Sequence, residues 1–262
     1  VVAGETLYGV TAEGGASNMG TIFKSSLTGE WSLMTEFTGV AGVRPGAHPA
    51  GGLALHTDGF LYGTTEFGGT VDFGTLFKIS RTPTPIFTVV RSFDDPTGSQ
   101  PVGRLSLDAA GQWWGMTATG GLRGLGTVFK VSTTGTHTVL AHFSGRTGAV
   151  AGSTPRAGLT AGPGGAWYGV TSAGGPGEAG VVFRLSPAGV YTALSGTDAA
   201  YLHDGNAKFA VPVRLQLPRE QQVGLNDLLA LPLRAANGSM VPLSELVTVE
   251  RGVIDQPRFS KI

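Results

Sequence analysis

The chain has 262 residues and a formal net charge of zero, with 18 basic and 18 acidic side chains, a balance that argues against the basic surface needed to neutralise nucleic-acid phosphates. It contains no cysteine, which excludes disulfides, thiolate catalysis and cysteine-ligated zinc. No run approaches the roughly 18 apolar residues of a membrane-spanning helix, and no signal peptide precedes the first predicted strand.

That first strand, residues 7–11, is the start of a sequence unit that recurs three more times. Glycine marks the centre of each copy, at Gly9, Gly63, Gly115 and Gly169, with spacings of 54, 52 and 54 residues. A glycine pair and then a block of the form Gly-Thr-Ile-Phe-Lys follow in each copy, at the same spacings. The last copy departs slightly, with Val181 in place of threonine. Three features kept in register over four copies indicate a true internal repeat.

Each unit divides into about four short strands. In the second unit they are predicted at residues 52–56, 61–66, 75–80 and 86–93, and alternation places Phe77 and Ile79 on one face with Leu76 on the other. Four strands in a unit of about 50 residues favour a β-propeller blade over a β-solenoid coil. We therefore predict an all-β fold, a partial β-propeller of about four four-stranded blades, whose blades bury Phe77 and Phe129 between them.

The ends of the array are predicted to be incomplete. Only six residues precede Leu7, and the Pro-x-x-x-Leu block that opens the other units is missing, so the first unit is expected to lack its innermost strand. The expected result is an open arc of about three and three-quarter blades with apolar faces exposed at both ends, prone to aggregate when alone. Residues 211–217 are an alternative closing strand, although the hairpin further along the chain is expected to occupy them.

The block L-Y-G-x-T-x-x-G-G followed by G-T-[ILV]-F-K resembles the GloVer-type tandem repeat of bacterial secreted and surface proteins, over residues 1–195. The resemblance implies a propeller and a non-enzymatic binding or scaffold role outside the cytoplasm, extracellular or periplasmic. It names no ligand, so the partner is an unknown protein or carbohydrate.

After Ser195 the glycines nearly vanish and the pattern changes. Residues 211–220 alternate like a strand, residues 221–231 have a short helical period that ends at Pro232, and Asn237-Gly238 predicts a hairpin. The prediction is therefore two domains, repeats at 1–195 and a small α+β segment at 196–262.

The order of motifs in residues 199–257 resembles the periplasmic porter and docking region of resistance–nodulation–division efflux permeases. That resemblance implies a structural fragment which, if intact, would belong to an oligomeric efflux assembly. Because the two resemblances do not belong together, the chain is expected to be a fragment or chimera, with a natural fusion as the alternative.

Side chains with catalytic potential do not assemble into a recognisable site. The five histidines match no metal-binding spacing, and Asp72 and Glu178 occupy the glycine-pair loops without a counterpart in the third copy. Asp94-Asp95 is either a solvated turn or half of an acid/base pair. We predict no catalytic, metal or cofactor site.

Aromatic residues at matching repeat positions are the one suggestive feature: Trp113, Trp114, Trp167 and Tyr168. They are either an exposed surface that stacks on a sugar or protein ligand, or part of the core between blades.

Overall fold

A computed structural model describes residues 1–40, 42–194, 200–202, 211–213, 232–234 and 240–242. The order of its first seventeen strands is β1 (Val2–Ala3), β2 (Thr6–Thr11), β3 (Thr21–Ser26), β4 (Trp31–Glu36), β5 (Ala54–Leu55), β6 (Leu61–Thr65), β7 (Thr75–Ile79), β8 (Phe87–Ser92), β9 (Ser99–Leu107), β10 (Trp113–Thr119), β11 (Thr127–Val131), β12 (His137–His142), β13 (Ser153–Pro155), β14 (Thr160–Ala161), β15 (Trp167–Ala173), β16 (Val182–Leu185) and β17 (Tyr191–Ala193). Two 3-10 turns accompany them, Asp95–Thr97 and Pro163–Gly165.

These strands form four antiparallel sheets in sequence order, which we call blades 1 to 4. Blade 1 is β1-β2-β3-β4, blade 2 is β5-β6-β7-β8, and blade 3 is β9-β10-β11-β12. In blade 4 the first strand is split into β13 and β14, which both pair with β15, and β16 and β17 follow. The predicted all-β, propeller-type architecture is confirmed.

The register within the blades explains the repeating glycine and phenylalanine. The glycine at the centre of the second strand lies directly opposite the phenylalanine of the third strand in every blade. The pairs are Gly9 with Phe23, Gly63 with Phe77, Gly115 with Phe129 and Gly169 with Phe183. A Cβ added to these glycines would lie 2.4–2.6 Å from the ring's outermost carbon. The phenylalanine ring can therefore extend over the neighbouring strand only because the residue opposite it has no side chain.

The blades pack through a phenylalanine that follows the fourth strand of each preceding blade. Phe37 of blade 1 meets Phe77 of blade 2 edge to face, with ring centroids 5.2 Å apart. The same contact recurs at 5.1 Å and 5.5 Å in the next two interfaces, between Phe93 and Phe129 and between Phe143 and Phe183. Phe77 and Phe129 are fully buried, as predicted.

Alternation along the third strand supplies residues to both neighbouring interfaces. Phe77 and Ile79 belong to the apolar cluster shared with blade 1, whereas Leu76 belongs to the cluster shared with blade 3. Three such clusters connect the four blades in series. The face assignment predicted from the sequence is confirmed.

The expectation that blade 1 lacks its innermost strand is wrong. Val2 pairs with Leu7 in β1 and β2, just as Leu55 pairs with Leu61 in blade 2. The first strand of blade 2 is also only two residues long, so the residues before Leu7 suffice. The array holds four blades rather than three and three-quarters.

Among the described strands the array is an open arc. The apolar clusters of the described residues join blade 1 to blade 2, blade 2 to blade 3 and blade 3 to blade 4, and none of them joins blade 4 to blade 1. As expected, apolar side chains are exposed on both end blades: Leu7, Trp31 and Leu33 on blade 1, and Val170, Val182 and Val190 on blade 4.

The C-terminal segment is described only in part. Strand β18 (Ala200–Leu202) pairs with β19 (Val211–Val213), and β20 (Pro232–Arg234) pairs with β21 (Met240–Pro242). The predicted pairing of the strands that flank Asn237-Gly238 is confirmed, whereas the turn itself lies outside the described residues. The strand at Val211 is not part of this hairpin, because its partner precedes it in the chain. The predicted helix at 221–231 and the predicted boundary at 195/196 lie outside the described residues.

The chain divides into two compact units, Val1–Leu215 and Gln216–Ile262. Within the described part, none of the helical segments has the length and apolarity to cross a membrane.

Candidate functional site

The first strands of successive blades converge at one edge of the arc. A Cβ on Gly51, just before β5, would lie 2.0 Å from the carbonyl oxygen of Gly103 in β9. A Cβ on Gly103 would in turn lie 2.1 Å from the amide nitrogen of Gly158, before β14. Glycine at these positions allows the backbones of blades 2, 3 and 4 to approach one another closely. We call this the inner edge.

A cavity of about 330 Å³ lies along the inner edge. Its walls come from the first strands of three blades and from the tryptophans that open two second strands: Ala54, Leu55, Arg104, Leu105, Ser106, Leu107, Ala161, Trp113 and Trp167. Arg104 is exposed and contributes the cavity's cationic group. The Ser106 hydroxyl donates to the Leu159 carbonyl at 2.6 Å, so it is already used in the contact between blades 3 and 4.

The four aromatic residues singled out from the sequence occupy different environments. Trp113, Trp114 and Trp167 are 1 %, 3 % and 5 % exposed, and Tyr168 is half-buried. Trp114 stacks on Trp167 with ring centroids 5.2 Å apart. Since the three indoles contribute to the core between blades, they do not offer open faces for stacking. The predicted aromatic surface is reduced to Tyr168 and to the indole edges that reach the inner-edge cavity.

Trp113 retains an unused polar group. Its ring packs against Tyr62 and His56, with centroids 5.0 Å and 5.5 Å away. Its Nε1 is buried and has no hydrogen-bond partner within the described chain. The equivalent donor of Trp114, by contrast, is satisfied by Asp108 Oδ2 at 2.8 Å. A buried N–H without an acceptor is costly, so an acceptor group in the cavity would relieve this cost if it reached the indole.

Two acidic residues, Asp58 and Asp108, serve the turns before the second strands of blades 2 and 3. Asp58 accepts from the Phe60 amide at 2.9 Å and from the Tyr62 hydroxyl at 2.8 Å. Asp108 accepts from the Gln112 amide and from Trp114 in the same way. Burial by itself raises the pKa of Asp58, but these donors and the nearby His56 outweigh it and hold that pKa below its usual range. An aspartate two to six residues before an aromatic residue at the start of the second strand is the sequence signal that could have identified Asp58 and Asp108.

The Asp94-Asp95 pair is part of a structured turn. Asp94 caps the 3-10 turn by accepting from the Thr97 amide at 3.1 Å, and it pairs with Arg91 at 3.0 Å. Burial raises the pKa of Asp94, yet the Thr97 hydrogen bonds and the positive charge of Arg91 lower it more. The Asp95 carboxylate accepts from the Ser99 hydroxyl at 3.4 Å, and its backbone carbonyl accepts from the Gly121 amide. Both acids therefore have structural partners, and neither faces the inner-edge cavity.

The acids in the glycine-pair loops also have local roles. Asp72 has a positive φ of 64° and accepts from the Gly68 amide at 2.7 Å, as Asn18 does from Gly14 in blade 1. Glu178 pairs with Arg146 at 3.1 Å. Across the described ranges, no group of three histidine, aspartate or glutamate side chains is placed to hold a metal ion.

The histidines are dispersed. His137 lies between Phe93 and Phe129 with its Nε2 buried and unpartnered, and burial together with Arg91 lowers its pKa to about 4. His142 accepts from the Leu122 amide at 3.2 Å through Nδ1. His203 lies outside the described residues.

Comparison with known proteins agrees with the repeat. No curated protein matches the chain. Among solved structures, a structural-genomics target provisionally named a gluconolactonase is similar, with 15 % identity and a TM-score of 0.35 over 66 % of this chain and 69 % of that one. The Gloeobacter/Verrucomicrobia repeat matches residues 1–213. That span includes all four blades and the strands β18 and β19, and the chain belongs to this repeat family.

Proposed function

We propose that the blade array is a non-enzymatic ligand-binding module and that the inner-edge cavity is its binding site. The observation that carries the proposal is the joint presence of the exposed Arg104 and of the tryptophans Trp113 and Trp167 among the residues that line one cavity. The other conspicuous polar groups, such as Asp58, Asp94 and Asp108, are engaged in turns.

The lining groups favour a ligand that carries a carboxylate. Arginine binds a carboxylate through two parallel donors. The edges of Trp113 and Trp167 supply apolar contact for a sugar ring. We therefore propose an acidic sugar, such as a uronic-acid unit of a bacterial or plant polysaccharide, as the ligand.

The test is a glycan array probed with the labelled full chain, followed by titration of the best ligand. Arg104→Ala should abolish binding, because it removes the cavity's charge. Arg156→Ala is the matched control, since Arg156 is exposed on the chain segment before β14 but does not line the cavity. Binding restricted to neutral glycans, or equal losses from both variants, would show that the site lies elsewhere. Binding to a protein but to no glycan would mean that the ligand is a protein and not an acidic sugar.

The absence of catalysis and an extracellular or periplasmic location are part of this proposal. Incubation of the chain with each bound glycan should leave the glycan intact by mass spectrometry, and fractionation of the source bacterium should place the full-length product outside the cytoplasm. Cleavage of a bound glycan would make the module an enzyme.

For the C-terminal segment, a piece of an efflux-permease docking region stays a second proposal. The sequence pattern supports it, together with the hairpin formed by β20 and β21. Residues 199–213 of the proposed piece fall within the repeat-family match, which favours a shorter permease-like span. Sequencing of the complete reading frame tests the proposal, because a permease requires transmembrane helices to follow downstream.

A further inference from the structure

The outer face of blade 1 carries an apolar groove of about 590 Å³. Its apolar walls are Leu7, Phe23, Trp31 and Leu33, of which Trp31 is 72 % exposed. Isolated exposed apolar residues are common on protein surfaces, but a contiguous set indicates an interaction surface. We call this surface the blade 1 face.

The blade 1 face repeats the surfaces that the other three blades bury. In blade 2, Phe77 stacks on Phe87 of the fourth strand with ring centroids 5.4 Å apart. Blades 3 and 4 place His137 and Tyr191 in the same position beside their central phenylalanine, at 5.3 Å and 5.1 Å. Trp31 is the first residue of the fourth strand of blade 1 and pairs with Ser25, two residues after Phe23, just as Phe87 pairs with Ile79, two residues after Phe77.

In each buried case the aromatic pair is covered by one ring from the preceding blade. Phe37 contacts both Phe77 and Phe87, at 5.2 Å and 5.8 Å. Phe93 covers the pair in blade 3, and Phe143 covers the pair in blade 4. The blade 1 face therefore matches the surfaces that are covered in blades 2, 3 and 4. The three interfaces between blades show which kind of ring covers such a surface.

We propose that the blade 1 face is a docking site for a further blade of the same repeat type, which inserts a phenylalanine equivalent to Phe37 against Phe23 and Trp31. The occupant is specified by this ring and by the second-strand and third-strand side chains that accompany it, as Tyr8 and Ile22 accompany Phe37.

Blade 4 of a second copy does not meet this specification. Phe37 and Phe143 follow the central phenylalanine of their blade by fourteen residues, and Phe93 follows Phe77 by sixteen; the same offsets from Phe183 lead to Thr197 and Ala199 in the sequence. By sequence, blade 4 therefore has no phenylalanine at either offset. Among the described residues of blade 4, the exposed large apolar side chains are Val170, Val182 and Val190, and none is aromatic.

The register permits a direct test by internal duplication. Val1 exchanges both backbone hydrogen bonds with Tyr8, at 2.8 Å each, which is the position that Ala54 holds opposite Tyr62 in blade 2. When residues 1–53 are fused directly before Val1 of the full chain, Leu53 of the added copy precedes Val1. It then has the same place in the sequence that native Leu53 has before Ala54, the first residue of β5. The added copy carries Trp31→Phe, so that the labelling measured at this repeat position comes from the original Trp31 alone.

We expect oxidative labelling of the original Trp31 to fall severalfold in the fusion, toward the half-buried state of Phe87. The same fusion with Phe37→Ala in the added copy is the control, and it should restore most of the labelling. Undiminished labelling in the fusion, or equal protection with and without the added phenylalanine, would overturn the proposal.

Point variants of the unmodified chain keep the proposal testable if the fusion does not fold. Trp31→Glu should leave the thermal melt unchanged, whereas Phe87→Glu should lower it strongly because that ring is covered. Equal destabilisation would mean that the chain itself already covers Trp31. A dimer in sedimentation that Trp31→Glu converts to a monomer would mean that a second copy is the occupant. Either result contradicts the proposal.

Discussion

Alanine substitution at two equivalent phenylalanines measures how much the contact with a preceding blade contributes to the free energy of unfolding. Phe129 and Phe23 occupy the same register position opposite a glycine, but Phe129 is fully buried beneath Phe93, whereas Phe23 is half-buried and has no preceding blade. Loss of a fully buried phenylalanine side chain costs about 3–5 kcal/mol, including the cavity that remains. Phe23→Ala removes the same atoms from a groove that water already reaches, so we expect about 1–2 kcal/mol.

The assay is urea unfolding of the full chain, followed by tryptophan fluorescence and far-ultraviolet circular dichroism. The two probes must coincide for a single free energy of unfolding to be defined. A difference of about 2 kcal/mol between the variants corresponds to about 4–8 °C in melting temperature for a unit of this size. Unchanged m-values would show that the variants differ in stability rather than in the extent of the folded part.

Equal losses of stability at Phe129 and Phe23 would show that the two rings are equally covered or equally uncovered. If both cost about 3–5 kcal/mol, Phe23 is covered in solution by part of the chain, and the arc is closed. If both cost less than about 1 kcal/mol, the phenylalanine column is not the contact that holds successive blades together.

Three further substitutions test other parts of the structure. Gly115→Ala should cost about 1–3 kcal/mol in urea melts, because its Cβ would lie 2.5 Å from the ring opposite, whereas Gly177→Ala, which meets open space, should be neutral. Asp108→Ala should cost about 1–3 kcal/mol by leaving the indole donor of Trp114 unpaired, and an equally stable variant would show that water replaces the carboxylate. His137 has a pKa of about 4 in the folded chain against 6.5 as its ordinary value, so the unfolded state binds the proton first and stability should fall as pH drops from about 6.5 to 4; His137→Phe should remove that part of the pH profile, and an unchanged profile would assign it to other groups.

The repeat architecture can be predicted from the sequence because the residue types at the paired positions, glycine and phenylalanine, have distinct geometric requirements. The glycine column must lie opposite the phenylalanine column for the rings to pack, and the spacing of 54, 52 and 54 residues preserves that relation in all four blades. The alternation at Leu76 and Phe77 correctly assigns each side chain to a different interface. Local pattern and tertiary packing agree at these positions.

The first strand of blade 1 is missed because a two-residue strand carries almost no pattern of its own. Val2 and Ala3 are recognisable only through their pairing with Leu7 and Thr6. The partner of the strand at Val211 is missed for a similar reason, since pairing between short strands depends on chain geometry rather than on composition.

The candidate site is the least predictable part. Tryptophans at matching positions are visible in the sequence, but periodicity alone does not distinguish a buried indole edge from an exposed ring. The inner-edge cavity arises where Arg104 and Trp167 come from different blades, and their proximity follows from how closely glycines such as Gly103 let the backbones approach.

An experimental structure of the full chain at side-chain resolution is the decisive measurement for the blade arrangement. We expect four serially stacked blades in which Phe77, Phe129 and Phe183 are each covered by a phenylalanine of the preceding blade, while Phe23 and Trp31 remain uncovered in a single chain. A closed ring in which blade 4 covers Phe23, or sheets in which the central glycines do not lie opposite these phenylalanines, would contradict it.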